Sequence, residues 1–236
     1  MMRARFYFKI PPVFPIKNRL IILSILKDAI RSQSEEFYQS FFIDGKQKTK
    51  PYTFSTYFHN LEIKNKEIYA DHLAVTVSSS SVQFILFLIN GCQETKKFIY
   101  KDMLIVLERV ELLKEKPIME SQVWMKTLSA ILIESKEGEP LLAEHRDFEK
   151  ELNFIMSKTV QEIEGRSLYQ PIKILKSNLR KMVIKENFHQ KEGRDLYFTA
   201  NQGQFLLAGD PRDLTFCYIN GIGLRTGVGF GTLEAL

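Results

Sequence analysis

The sequence predicts an α+β fold of two tandem β-α-β-β-α-β units, and three observations lead there. The chain opens on an alternating apolar and basic strand that prolines break before a leucine-rich helix. The order of strands and helices then repeats after a joint at Lys114 to Pro117. An Asp-Pro-capped helix and a glycine-rich run close the second unit. A length of 236 residues allows one large domain or two compact ones, and 44% hydrophobic with 26% charged residues excludes wholesale disorder.

Ala4, Phe6, Phe8 and Ile10 alternate with Arg3, Arg5, Tyr7 and Lys9, the period of a strand with one apolar and one basic face. Pro11, Pro12 and Pro15 end it. Ile22, Leu23, Leu26 and Ile30 mark a helix from about Asn18, its cap, to Arg31, and Lys27 and Arg31 lie one turn apart beside that stripe. A short helical segment spans Glu35 to Phe42, and a lysine-dense loop follows from Asp44 to Lys50. Tyr52, Phe54 and Phe58 alternate with Thr53, Ser55, Tyr57 and His59, and Ile68 to Val77 reads as another strand. Ser79 to Ser81 caps a helix over Val82 to Asn90, apolar nearly all round and stopped by Gly91. Phe98 to Leu113 completes the first unit.

The second unit starts with a strand over Val123 to Ile133 and an amphipathic helix from about Leu141 to Ile163. Strands over Gln170 to Phe188 and Arg194 to Ala208 follow. Asp210-Pro211 opens a short helix, with Asp as cap and Pro in the first turn, Gly221 ends it, and Gly229 to Leu236 closes as a strand. Two ferredoxin-like units, residues 1–115 and 118–236, are the economical reading. The repeat is one of element order, without internal sequence identity.

A formal charge of +5 and a pI near 9.0 permit a polyanionic partner without requiring one. Cys92 and Cys217 have no metal-ligand spacing and no disulfide framework, which suits a reducing cytosol. The apolar stretch from Phe6 to Leu26 is broken by Lys9, three prolines, Lys17 and Arg19, so neither a membrane span nor a signal peptide is expected. The expectation is a soluble cytoplasmic protein.

The most specific feature is Gly221-Ile-Gly223-Leu-Arg-Thr-Gly-Val-Gly229-Phe-Gly231. Glycines allow positive φ and close approach of backbone N–H groups to phosphate oxygens, and Arg225 adds a charged fork. A dinucleotide loop leaves a strand and enters a helix, whereas this segment does the reverse. The Gly-Lys-Ser/Thr ending of a phosphate loop is absent. A connection needed only for tight packing stays open as the alternative.

The spacing Gly-hydrophobic-Gly, five residues, Gly-hydrophobic-Gly at the end of a two-unit chain resembles the signature of the CRISPR-associated repeat RNA (pre-crRNA) processing endoribonucleases. These belong to the repeat-associated (RAMP) superfamily of ferredoxin-like, RRM-like folds. Gly203-Gln-Phe-Leu-Leu-Ala-Gly209-Asp-Pro, a helix and the glycine loop look like that family's closing run, and the basic first strand, proline break and first helix agree. The resemblance implies binding of CRISPR repeat RNA in a cleft and metal-independent cleavage within each repeat, with no cofactor. A 2′-OH would attack the adjacent phosphorus, leaving a 2′,3′-cyclic phosphate and a 5′-OH. That chemistry needs a base, cations for the phosphorane and an acid at the leaving oxygen. It also leaves subunits of a CRISPR interference complex and a homodimer open as protein partners.

Many members carry a Tyr on the first helix, a His after the second helical segment and a Lys before the next strand. Aligning Ala29 to Ser32 and Tyr52 to Ser55 puts Lys50 on the lysine, Lys27 in place of the tyrosine and Phe42 near the histidine; no His occurs between residues 1 and 58. The resemblance therefore implies either a histidine-poor nuclease using Lys27, Lys50 and the Tyr38 hydroxyl, or a member that binds repeat RNA without cutting it. His59 shares a strand face with Thr53 and Ser55, while His72, His145 and His189 read as structural or solvated.

RNA contacts are expected from Arg31, Lys46, Lys48, Gly221, Gly223, Arg225, Thr226, Gly229 and Gly231. A further electrostatic track is expected over Lys173, Lys176, Arg180 and Lys181, among neighbours Arg166, Lys185, Lys191 and Arg194, with Ser177 and Asn178 adding hydrogen bonds. A solvated face is the alternative for that run. Tyr7 reads as an interface residue more than a stacking platform, and Trp124 as core.

Overall fold

The structure of the protein, a computed structural model, describes residues 2–44, 48–187 and 195–236. Its backbone clusters into two units: residues 1–48, 56–114 and 185–195 form the first, and 49–55, 115–184 and 196–236 the second. The fold is α+β, with three sheets and two tandem ferredoxin-like units.

β1 (Met2–Lys9), α1 (Arg19–Gln33), β3 (Tyr52–His59), β6 (His72–Ser79), α3 (Val82–Thr95) and β8 (Met103–Leu113) make the first β-α-β-β-α-β order, with residues 52–55 of β3 clustering with the second unit. The sheet runs β3-β6-β1-β8 and is extended at its edge by β7 (Lys97–Tyr100). β1 pairs antiparallel with β6 and β8, placing Phe6 opposite Val75 and Val110. The apolar half of the alternation read from β1 is realised, with Ala4, Phe6 and Phe8 buried, but Arg3 of the expected basic face is buried too, at 2% exposed. On its other face, Tyr7 donates to Glu111 Oε2 at 2.8 Å and lies under the Arg109 guanidinium, 3.9 Å from the ring centre. The Arg109 guanidinium thus covers one face of the Tyr7 ring. A small sheet of β2 (Val13–Pro15), β5 (Glu67–Tyr69) and β4 (Glu62–Lys64) sits outside the repeat. The expected continuous strand over Ile68 to Val77 is thus two strands.

α1 buries Ile21, Ile22, Ile25, Leu26, Ala29 and Ile30. Asn18 precedes it as expected, but its side chain donates to the Ile16 carbonyl at 3.1 Å instead of capping a helical N–H. Ser81 does cap α3, accepting from the Phe84 N–H at 3.3 Å. Two expectations for α3 are corrected. One face is exposed, with Val82 and Leu86 open to solvent while Phe84, Ile85 and Leu88 are buried. Gly91 does not stop the helix but lies inside it, where a Cβ would sit 1.9 Å from the Ala29 carbonyl oxygen of α1. The missing side chain lets the two helices meet backbone to backbone.

The second unit repeats the order with β9 (Gln122–Thr127), α4 (Phe148–Glu164), β10 (Lys173–Glu186), β11 (Leu196–Ala208), α5 (Pro211–Asn220) and β12 (Leu233–Ala235), in the sheet order β10-β11-β9-β12. Its core packs Met125, Phe148, Leu152, Met156, Phe205, Leu214 and Leu233. The expected strand to Ile133 ends at Thr127, and α4 starts seven residues later than the expected Leu141. Asn201, 1% exposed, accounts for the shift: it accepts from the Ala143 N–H at 2.9 Å and donates to the Leu141 carbonyl at 3.0 Å, holding that segment out of the helix. Asp210 caps α5 through the Arg212 N–H, as expected from Asp-Pro. The last strand, Leu233–Ala235, is shorter than expected, because Gly229 and Gly231 have positive φ and hold the residues before it out of extended conformation. Trp124 is 40% exposed, not core. Burial pushes the thiols of Cys92 and Cys217 up, so neither is a poised nucleophile. No described helix is long and apolar enough to cross a membrane.

Candidate nucleic-acid interface

The first cluster of expected site residues stands on α1, α2 (Glu35–Tyr38) and the π-helical turn Gln39–Asp44. Ser34 ends α1 and caps α2 by accepting from the Phe37 N–H at 3.1 Å, turning the chain so that Tyr38 and Phe42 come under α1. The Lys27 ammonium lies 5.3 Å from the centre of the Phe42 ring, and the Arg31 guanidinium 4.4 Å from that of Tyr38. Arg31 also donates to Glu35 at 2.8 Å. Tyr38 is 9% exposed and Phe42 7%. Both rings therefore act as a floor beneath two cations. The Asp28 carboxyl, beside Lys27, is held above the usual carboxylate range chiefly by burial, against the pull of Ser24, Arg31 and Lys27. Sequence reasoning passed over Asp28; a carboxyl next to the aligned lysine was the available signal.

A second cluster forms in the other unit around Lys50. Thr49, just before it, donates both its backbone N–H, at 3.1 Å, and its hydroxyl to Glu162 of α4. The Thr49 hydroxyl holds the Glu162 carboxyl below the usual carboxylate range, against the opposing effect of burial. Pro51 follows Lys50 and restricts its backbone to extended conformations. The buried Tyr52 then donates to the Gly227 carbonyl at 2.8 Å, and the Thr53 hydroxyl to that of Phe230 at 2.9 Å. The glycine-rich segment is thereby stitched to the lysine-bearing strand.

Within that segment several glycine N–H groups have acceptors inside the protein. The Gly231 N–H donates to Ala130, that of Gly229 to Thr226, and that of Gly223 to the Met156 sulfur. Gly221, Gly223, Gly229 and Gly231 are buried. A Cβ at Gly231 would lie 2.0 Å from the Ile222 carbonyl oxygen, and one at Gly229 would lie 2.7 Å from the Phe54 ring at a φ of +86°. At these two positions the contacts leave no room for a side chain. Thr226 is buried as well, leaving Arg225 as the exposed residue of the turn. Arg225 adopts a left-handed φ of 59°, with its guanidinium 5.2 Å from the Phe198 ring centre.

Lys173, Lys176, Arg180 and Lys181 are exposed along β10, so the cations of the expected track are available to solvent. Ser177, exposed on the same strand, accepts from the Leu179 N–H at 3.2 Å. Arg166 does not belong with them: it donates to the fully buried Asp213 at 2.6 Å and to Glu164 at 2.7 Å. Lys185 is likewise tied to Asp195 at 2.6 Å. Lys48 is exposed, whereas Lys46, His189, Lys191 and Arg194 lie outside the described residues. His59 is exposed, 6.4 Å in ring centres from His72, which sits between Asp71 and Glu108. Among the described residues no group of three or more His, Cys, Asp or Glu side chains is placed to hold a metal ion.

The sequence profile described as CRISPR associated protein Cas6, C-terminal, matches residues 113–235, more than half of the chain and all of its glycine-rich segment. The chain belongs to the Cas6 family. Solved structures agree with this in fold. A Cas6-related protein from Pyrococcus furiosus superposes with a TM-score of 0.82 at 20% identity, over 100% of this chain and 98% of that one. A structure described as a RAMP protein binding different RNA substrates gives 0.82 at 18% identity over 100% of both chains. A Cas6 product complex gives 0.74 at 12% identity, again over 100% of both. No curated protein matches the sequence.

Against the Cas6 pattern, Lys27, Arg31, Tyr38 and Phe42 are brought together in one unit, and Lys50, Tyr52, Gly227 and Arg225 lie in the other. Thr49, Glu162 and Gly227 were missed by sequence reasoning. Gly227 was the one detectable beforehand, being the glycine of the motif outside its Gly-hydrophobic-Gly pairs.

Proposed function

We propose that this Cas6-family protein binds CRISPR repeat RNA and cleaves it within the repeat without a metal ion. The observation that carries this reading is the family match across the glycine-rich segment, the same segment that packs against the aligned lysine, Lys50. In the proposed reaction the ribose 2′-OH loses its proton and bonds to the adjacent phosphorus. The bond to the 5′-oxygen breaks, and that oxygen takes up a proton. The products are a 2′,3′-cyclic phosphate and a 5′-OH. Lys50 supplies positive charge to the phosphorane or a proton to the leaving oxygen, and Arg225 holds a neighbouring phosphate. Lys27, Arg31 and Lys48 add phosphate contacts, and the exposed cations of β10 track the RNA backbone by charge and shape.

One observation favours a second reading, that the protein binds repeat RNA without cutting it. Phe42, at the position aligned with the family histidine, is buried in an aromatic stack with Tyr38 and Phe41, and offers no titrating group. Lys50→Ala separates the two. Under the cleavage reading it lowers the single-turnover rate by about 100-fold and leaves RNA affinity within about threefold. Equal loss of rate and affinity would remove Lys50 from the chemistry.

A further inference from the structure

Lys50 is the most elaborately seated of the candidate cations, and its seat is built from residues that no catalytic pattern requires. Glu162 takes both donors of Thr49, the residue before it. Tyr52, two residues after it, is anchored to the Gly227 carbonyl. Between these anchors the aliphatic stem of Lys50 rests on the bare α-carbon of Gly227, where an added Cβ would lie 3.3 Å from both its Cβ and its Cγ. Gly227 differs in kind from the motif's other glycines. Gly221, Gly223, Gly229 and Gly231 all have positive φ, whereas Gly227 does not, so a side chain at Gly227 meets no backbone objection. The tightest contact it would make is with the lysine stem.

We propose that Gly227 and Glu162 are positioning residues that fix where the Lys50 ammonium reaches. The proposal rests on the reading of Lys50 as the reacting cation and adds the groups that aim it. A side chain with four carbon–carbon torsions is costly to hold in one direction, and a stem pressed on a glycine between two anchored neighbours loses that freedom before RNA arrives. A methyl group at 227 displaces the stem by a few tenths of an ångström. Misplacement on that scale lowers rate far more than affinity.

The test uses the full-length protein with two readouts. In single-turnover cleavage at saturating protein, Gly227→Ala and Glu162→Ala each slow the reaction by about tenfold with affinity unchanged within about twofold. Glu162→Gln, whose amide oxygen still accepts from Thr49, recovers most of the rate. In a Lys50→Ala background neither substitution has further effect, because both act through the missing side chain. Independently of activity, the protein is reductively methylated with ¹³C, and the Lys50 signal is assigned by its loss in Lys50→Arg. That signal moves in Gly227→Ala and Glu162→Ala and returns in Glu162→Gln. An unmoved signal in both alanine variants overturns the proposal even where Lys50→Ala abolishes cleavage, which leaves the cleavage reading intact. Rate losses that persist undiminished in the Lys50→Ala background overturn it too. A protein that cuts no RNA defeats the cleavage reading, and the Lys50 signal then still decides whether Gly227 and Glu162 hold the lysine.

Discussion

Gly91→Ala pits two well-understood effects against each other, and the structure decides between them. Glycine inside a helix costs about 1 kcal/mol relative to alanine, so helix propensity alone makes the substitution stabilising. At Gly91 the new methyl would stand 1.9 Å from the Ala29 carbonyl oxygen, 2.6 Å from its carbon and 3.0 Å from its Cα. Ordinary contact requires about 3.5 Å, so α1 and α3 must part by on the order of 1.5 Å. Ile25, Leu26 and Ile30 of α1 and Ile85 and Leu88 of α3 are buried and lose contact as the helices separate. Overpacking of this kind costs about 3 kcal/mol or more, which outweighs the propensity gain and leaves a net loss of about 2 kcal/mol. The clash is with backbone, so trimming the facing side chain in Ala29→Gly/Gly91→Ala recovers nothing. Urea unfolding followed by circular dichroism measures the difference. A variant as stable as the parent, or more stable by about 1 kcal/mol, would refute the reasoning.

Three further outcomes follow from single interactions. Asp213→Ala strips the fully buried partner from Arg166 and from the N–H groups of Tyr169 and Gln170, and is expected to cost about 3 kcal/mol in the same unfolding assay. The Asp210 carboxyl, held by the side chain and N–H of Arg212, is lowered to about 2. A depressed carboxylate stabilises the fold above its unfolded pKa and loses that contribution as pH falls through the folded value; its NMR titration is expected near pH 2, moving up towards about 4 in Arg212→Ala. Replacing Lys173, Lys176, Arg180 and Lys181 together by Gln is expected to weaken RNA binding and to flatten the slope of log affinity against log salt by up to about 3. An unchanged slope would make β10 a merely solvated face.

Much of the fold was legible because its signals are local. The alternation over Ala4, Phe6 and Phe8, the Ser81 cap and the Asp210-Pro211 start of α5 each depend on residues a few positions apart. Misread features depend on partners far along the chain. Gly91 has the same local signature whether it ends a helix or lets two helices touch, and only Ala29, 62 positions earlier, distinguishes them. The helix expected from Leu141 starts only at Phe148, because Asn201, far along the chain, holds the backbone of Leu141 and Ala143 in another conformation. The glycine motif could be located but not interpreted, since most of the groups its glycines meet, Phe54, Leu132 and Lys50 among them, come from other segments. At the candidate site, Lys50 was visible through resemblance, while the Thr49–Glu162 bonds that seat it leave no sequence pattern.

The most direct test of the account is incubation of excess purified protein, in EDTA, with end-labelled repeat RNA and with a matched RNA carrying 2′-deoxy at the cut nucleotide. A single product ending in a 2′,3′-cyclic phosphate, absent from the deoxy substrate, is the expected result. Tight binding of both RNAs with no product from either would contradict it and make this Cas6-family member a repeat-RNA binder.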